Sequence, residues 1–282
     1  MPLNPYDLVK GSPKLSSPPE IILKINEVVD DPESTFEEIA QVIKADTSLS
    51  AQLLKMVNSA FFNFPSRIDS ISHAVSVIGM QQLKDLALSI CIVGSFGKIS
   101  PGKVDMRKFW GHSLGCAVAA RVIAIHCRES NPEQFYLAGI LHDIGRLILF
   151  NNFPDLAAEV EECHEVGANF LYEAERAVLG FTHSELGAAL ARAWNLPSFL
   201  EEAIACHHDP SQMQYPSLEC AVLNVADIMV KAMELGCSGD PCVPPLSPKT
   251  WETIGISAAL VPPIWKQAKR QYEKTAGFFL LN

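Results

Sequence analysis

The chain has 282 residues, 48% of them hydrophobic, and a formal net charge of -10, with a mean hydropathy of +0.15 and a pI of about 5.3. That is enough apolar surface for one large domain or two smaller ones, and the acidic balance excludes non-specific nucleic-acid binding, which depends on Lys and Arg displacing counterions from phosphates. The longest apolar runs, such as Leu86 to Val93, fall far short of the roughly 20 residues of a membrane span. The start, Met1-Pro-Leu-Asn-Pro-Tyr-Asp, lacks the basic and apolar regions of a secretion signal, so a cytoplasmic protein without membrane contact is expected.

Residues 1–19 hold five prolines and are read as an irregular lead-in. From Glu20, Ile21, Ile22, Ile25, Val28 and Val29 recur at helical spacing. Ser34-Thr-Phe-Glu37 reads as a capping box opening a short helix through Ile43, and Asp46 starts another that buries Leu49, Leu53, Leu54 and Val57. Asn58 to Pro65 breaks it, with Phe61-Phe-Asn-Phe64 as a packing wedge; Ile71 to Ile78 follows, then a Gly79 stop and an apolar helix from Gln81 to about Phe96. Gly97 to Lys103 is turn-rich and marks a boundary.

Beyond it, residues 105–127 form a helix carrying Trp110, His112 and a small-residue stretch. Tyr136 to Phe150 reads as one helix, apolar except for the doublet His142-Asp143 and Arg146. Residues 155–178 are acidic and amphipathic, two helices meeting near Gly167, with Glu159 to Glu165 as a solvated face. Thr182-His-Ser-Glu185 is a second capping box, opening a helix to Trp194; Pro197 to His207 and Leu218 to Leu235 are further helices, the last containing one acid, Asp227. Gly236 to Pro248, with four prolines and two glycines, is a loop. A final helix from about Pro263 to Ala276 exposes Lys266, Lys269, Arg270 and Lys274, followed by an apolar tail, Phe278-Phe-Leu-Leu281. No alternating strand pattern of useful length occurs, so the chain is expected to be all-α, with a helical subdomain over 20–100 and a second over 104–282.

A His and an Asp inside an apolar helix need partners, either each other and the backbone or a metal ion. The histidines weigh on that choice as a set: His112, His142, His183, His207 and His208 lie at helix ends or on apolar helices, and Asp143 and Asp227 add two carboxylates. Imidazole with carboxylate suits Mn, Fe, Ni or Zn, while Mg prefers oxygen alone. This many donors permits two metals about 3.5 to 4 Å apart, with Asp143 as the natural bridge. Arg146, one turn from His142, is either a phosphate holder or a solvated helix end. The eight cysteines contain no CxxC, and are read as reduced, mostly buried thiols without a disulfide framework.

The order His112, Leu141-His-Asp-Ile-Gly145, His183, His207-His208 and Asp227 resembles the HD superfamily of metal-dependent phosphohydrolases. The chain is more closely similar to the HDOD family of bacterial signalling domains, through Asp46-Thr-Ser-Leu-Ser50, Leu53-Leu-Lys-Met-Val-Asn-Ser-Ala60, Ile71 to Gly79, Phe109-Trp-Gly-His112, Gly180 to Gly187 and Trp194-Asn-Leu-Pro197. The resemblance implies an HD-domain-like helical bundle with an N-terminal helical subdomain, acting in signal transduction as a regulatory or output domain through protein partners. It also implies an HD-type site of one or two divalent ions (Fe, Mn, Ni, Zn or Mg) on His112, His142, Asp143, His183, His207, His208 and Asp227. The alternative implied is a metal-dependent phosphohydrolase acting on a nucleotide or other phosphoester, with Asp143 and Arg146 in catalysis. Lys108 stands one turn before His112, where an acidic ligand occurs in HD-GYP phosphodiesterases, and no Gly-Tyr-Pro follows His207-His208; both departures count against cyclic-di-GMP hydrolysis.

Overall fold

The computed structural model of the chain describes residues 3–12, 15, 17–31, 33–59, 62, 64–96, 105–167, 170–210 and 217–279. Among them every regular element is helical, so the protein is all-α. The Gly97 to Lys103 boundary and the end of the apolar tail lie outside the described residues.

Helices α2 (Glu20–Asp30), α3 (Phe36–Ala45), α4 (Thr47–Val57), α5 (Ile71–Ile78) and α6 (Met80–Phe96) pack on one another in the N-terminal part. The α3 capping box is one residue later than expected: Thr35 and Glu38 exchange backbone and side-chain hydrogen bonds, not Ser34 and Glu37. Both pairs have the Ser/Thr-x-x-Glu spacing, and Glu37 instead accepts from Lys44 and Ser72 while Ile39, Ala40 and Ile43 are buried. Asn58 closes the break after α4, accepting from Ile68 N and donating to Ile68 O at 2.8 and 2.7 Å.

Helix α7 (Met106–His126) is the central element of the rest. It is buried almost throughout, from Phe109 to Ala124, and packs against α8 (Pro132–Leu141), α14 (Leu218–Ala232) and α16 (Val261–Phe279). Its small residues let those neighbours approach closely. Around this axis lie α9 (Ile144–Asn152), α10 (Pro154–Val166), α11 (Leu171–Leu179), α12 (His183–Ala193), α13 (Ser198–Cys206) and α15 (Pro248–Ile254). One apolar core runs without interruption from Ile22 and Leu53 through Leu86 and Leu114 to Leu147 and Leu186. A second core, behind α7, joins it to α14, α15 and α16. Lys266, Lys269, Arg270 and Lys274 are exposed on α16 as expected. No helix among the described residues is long and apolar enough to cross a membrane.

Three expectations change. The lead-in contains a helix, α1 (Pro5–Gly11), with Asn4 as its N-cap and Pro5 at the first position, where a missing N–H costs nothing. It packs on α12 rather than on the N-terminal helices, with Arg192 over the Tyr6 ring and Trp194 Nε1 donating to Leu15 O at 2.8 Å. The doublet helix is two helices: α8 ends at Leu141 and α9 begins at Ile144, so His142 and Asp143 occupy the turn between them. Cys206 and Cys220 are paired as a disulfide between the end of α13 and the start of α14, with Cα atoms 5.9 Å apart. These two were read as reduced thiols because pairing through space leaves no spacing motif. Cys91, Cys116, Cys127, Cys163 and Cys237 are free thiols.

Candidate metal centre

The turn between α8 and α9 determines where the site can form. Asp143 stands in the N-cap position of α9, where an aspartate ordinarily accepts from a backbone N–H of the first turn. Here its side chain caps nothing and points away. Its Oδ1 lies 3.1 Å from His183 Nε2, 3.4 Å from His142 Nε2 and 3.7 Å from His207 Nε2, while Oδ2 accepts from Arg146 at 3.1 Å. Three imidazole nitrogens from three helix ends thus converge on one carboxylate oxygen.

The other ring nitrogen of each histidine fixes what the inward one does. His142 Nδ1 lies 2.8 Å from Gly139 O, and His207 Nδ1 lies 2.8 Å from Ile204 O. A carbonyl oxygen only accepts, so both rings carry a proton on Nδ1, and each neutral ring turns an Nε2 lone pair inward. His207 Nε2 is buried with no hydrogen-bond partner. His183 Nδ1 is held at 2.7 Å by Glu175, which also accepts from the His183 backbone N–H. This pattern, acceptors outside and lone pairs inside, is how proteins present histidines to a metal.

The remaining expected residues complete the group. His112 Nε2 is 3.0 Å from Asp227 Oδ1, and His208 Nε2 is 2.8 Å from His183 Nε2. Asn224 on α14 donates to the carbonyl oxygens of both His207 and His208, fixing the end of α13. All seven expected ligands, His112, His142, Asp143, His183, His207, His208 and Asp227, are therefore brought into one cluster. His207 is 0% exposed and Asp143 3%; only His208, stacked on Tyr172 at 4.6 Å, is half-buried at the rim. Arg146 is no solvated helix end: it is buried, bonded to Asp143 and to the Ser238 carbonyl, and faces the Phe109 ring.

Several participants were missed. Glu175 lies in the amphipathic stretch 155–178, beyond the Glu159 to Glu165 face read as solvated, and was given no role, yet it is 1% exposed. Lys231 bridges Asp227 at 2.9 Å and Asp240 at 2.8 Å; its signal was present as an i, i+4 pair with Asp227 on an apolar helix. Cys116 Sγ is 3.6 Å from His112 Nε2 and 3.9 Å from Asp227 Oδ1. Segment 236–243, read only as loop, is a strap across the site. Gly236, at φ +72, lies so close to Lys108 O and Gly111 C that no side chain fits there, and Cys237 N donates to Lys108 O at 3.0 Å. Asp240 also accepts from Leu171 N at 2.8 Å. The Lys108 side chain itself is exposed.

The electrostatics call for a cation. Among the described residues, Asp143, Asp227, Glu175 and Asp240 face Arg146 and Lys231 as fixed positive charges. Burial opposes ionisation of Asp143, but His142, His183 and Arg146 outweigh it and hold the carboxyl well below its usual range. Burial likewise opposes a charged His183, but Glu175 and Asp143 push it up to about 9. His207, buried and beside His142 and His183, is pushed down to about 3. Burial and the neighbouring Asp227 and Asp143 raise the Cys116 thiol. In the metal-free cluster, one proton on His183 stands where a divalent ion would neutralise more charge.

A family model described as the HDOD domain matches residues 15–210. The chain is 27% identical over 209 residues to an uncharacterized protein of Treponema pallidum (strain Nichols), covering 72% of this chain and 39% of that one. It is 25% identical over 185 residues to the uncharacterized protein YuxH of Bacillus subtilis (strain 168), covering 61% and 44%. The chain thus spans about two fifths of the length of these curated relatives. Among solved structures, an HDOD domain protein of unknown function from Geobacter sulfurreducens superposes with a TM-score of 0.73 at 26% identity, over 90% of this chain and 92% of that one. A Shewanella amazonensis SB2B protein carrying a provisional phosphohydrolase name gives 0.75 at 26% identity, over 96% and 97%.

Proposed function

Because the chain belongs to the HDOD domain family, we propose that it is a signal-transduction protein whose divalent-metal centre, on His112, His142, Asp143, His183, His207, His208 and Asp227, sets the packing of the helices that a signalling partner contacts. The observation that carries this reading is closure. His112 lies beneath the 236–243 strap, Asp227 and Asp143 are tied to the strap through Lys231 and Arg146, and the cavity beside His112 is about 240 Å³, below the roughly 300–1,000 Å³ of ligand-sized clefts. Among the described residues, the strap side opens to a nucleotide when Arg146 releases Ser238 and Lys231 releases Asp240.

When bound, a divalent ion supplies Lewis acidity and fixed positive charge. The chain's own residues do the rest: Glu175, Gly139 and Ile204 orient the rings, Asn224 holds the His207-His208 turn, and the strap covers the His112 side. The second reading, a metal-dependent phosphohydrolase acting on a nucleotide or other phosphoester, is favoured by one feature. Arg146 lies 3.1 Å from Asp143, and freed from Ser238 it would present a fork to a phosphate.

The test combines elemental analysis of protein purified without chelator, turnover of bis(p-nitrophenyl) phosphate and a nucleotide panel, and hydrogen exchange with and without added metal. The regulatory reading expects bound metal, turnover no greater than that of Asp143→Ala, and metal-dependent protection of the strap and the ends of α8 and α13. Turnover that Asp143→Ala abolishes would establish the hydrolase instead. A folded, metal-free parent that gains no protection would end both.

A further inference from the structure

Resting on the metal reading above, the structure carries it one ligand further. Cys116 stands one turn after His112 on α7 and is 0% exposed. Its Sγ lies 3.6 Å from His112 Nε2 and 3.9 Å from Asp227 Oδ1, and these three atoms and one from His142 all lie within 4.8 Å of one another. A tetrahedral centre with bonds of about 2.0–2.1 Å to nitrogen and oxygen and about 2.3 Å to sulfur spaces its ligand atoms about 3.3–3.6 Å apart. The sulfur-to-nitrogen distance already has that value. The sulfur-to-oxygen distance is a few tenths longer, and His112 Nε2 to Asp227 Oδ1, at 3.0 Å, a few tenths shorter.

A small residue that merely filled the α7–α14 interface would need only volume. Cys116 instead puts its one polar atom beside two candidate ligand atoms, within reach of a third on His142. We propose that His112, Cys116, His142 and Asp227 form a closed four-coordinate centre for a thiophilic divalent ion, Zn, Fe(II) or Co(II). Asp143, His183, His207 and His208 make the neighbouring position, which holds only nitrogen and oxygen donors. On ligation the Cys116 S–H bond breaks, a sulfur–metal bond forms, and the proton leaves to solvent. A four-ligand set containing thiolate is the arrangement of structural metal sites, so this ion binds tightly and exchanges slowly. Mg, a hard cation, is rejected there. The neighbouring position keeps room for an exchangeable ligand, and its residues reach the rim at His208.

The experiment is Co(II) titration of the chelator-stripped full chain, read by absorption, on the parent, Cys116→Ala and Cys116→Ser, with far-ultraviolet dichroism as the fold control. The parent is expected to show a near-ultraviolet thiolate-to-cobalt band that saturates with the first equivalent and resists a large excess of Mg. Both variants are expected to lose the band and to bind the first equivalent at least about tenfold more weakly, while visible ligand-field absorption persists. Ligand-field absorption without the thiolate band in the parent, or a band that survives in both variants, overturns the proposal and leaves the metal reading standing. No cobalt absorption of either kind overturns both.

Discussion

Replacing Gly145 with alanine asks whether the approach of α9 to α12 sets the site. A Cβ at this position would lie 2.8 Å from the His183 carbonyl carbon and 2.9 Å from Gly187 N, and nearer still to the His183 carbonyl oxygen. All three are backbone atoms and none can swing aside, so the helices must part by on the order of 1 Å. Overpacking of this kind costs about 1–3 kcal/mol, and a clash with backbone belongs at the upper end, about 3 kcal/mol. For a chain of 282 residues that lowers Tm by roughly 5 °C. His183 moves with its backbone, so its 3.1 Å contact with Asp143 opens and metal affinity falls about 10–100-fold, as when ligand orientation is lost. Calorimetry and elemental analysis measure both effects. Gly94→Ala in α6 is the control: its methyl meets nothing within 4 Å, and a helical alanine gains up to about 1 kcal/mol over glycine. Parent-like Tm and metal content in Gly145→Ala would refute the argument. A lower Tm with undiminished metal would show that the cluster holds its own geometry.

Other perturbations read other parts of the molecule. Burial pushes the Asp85 carboxyl up to about 6 from 3.8, against the pull of Asn131 and Lys84 and with a contribution from Glu133. The folded state therefore favours the protonated form: its contribution is complete below about pH 4 and lost as pH rises through 6, about 3 kcal/mol in all. Asp85→Asn should match the parent in urea at about pH 4 and exceed it by a comparable amount near pH 7.5; a difference independent of pH would contradict this. Glu175→Gln keeps the shape of the His183 support but not its charge, so His183 should titrate well below about 9 by NMR and metal should bind about 10–100-fold more weakly. Parent-like titration and binding would remove Glu175 from the site. Reduction of Cys206–Cys220, which closes a separation of 14 residues, should cost about 3 kcal/mol, while alkylation without reductant should leave both sulfurs unlabelled; labelling of both in the untreated protein would deny the bridge.

The candidate ligands were legible because each breaks the pattern around it. A lone acid in α14 and a His-Asp doublet in an apolar run are visible as anomalies, and the helices that carry them follow from periodicity and caps. The break between α8 and α9 was hidden, because Tyr136 to Phe150 is apolar on both sides of the His142-Asp143 doublet and periodicity does not register a single turn that surrenders its helical bonds. The α3 cap slipped by one residue because Ser34–Glu37 and Thr35–Glu38 satisfy the same rule. Five prolines concealed α1, although Asn4-Pro5 is a helix start. Glu175, Asp240 and the Cys206–Cys220 pair act across distances in space that leave no trace in spacing; each looks ordinary until the helix opposite is known.

Lys231 touches two things at once, the Asp227 carboxylate inside the cluster and the Asp240 carboxylate on the strap. An ion that draws charge from Asp227 alters the hold of Lys231 on Asp240, and whatever pulls Asp240 away alters the field at Asp227. Linkage makes the two effects equal: the factor by which metal loosens or tightens the strap is the factor by which strap opening changes the affinity for metal. A partner that gripped segment 236–243 would therefore read the occupancy of a centre it never touches, through the Lys231 ammonium and, beside it, the Arg146 guanidinium that joins Asp143 to Ser238.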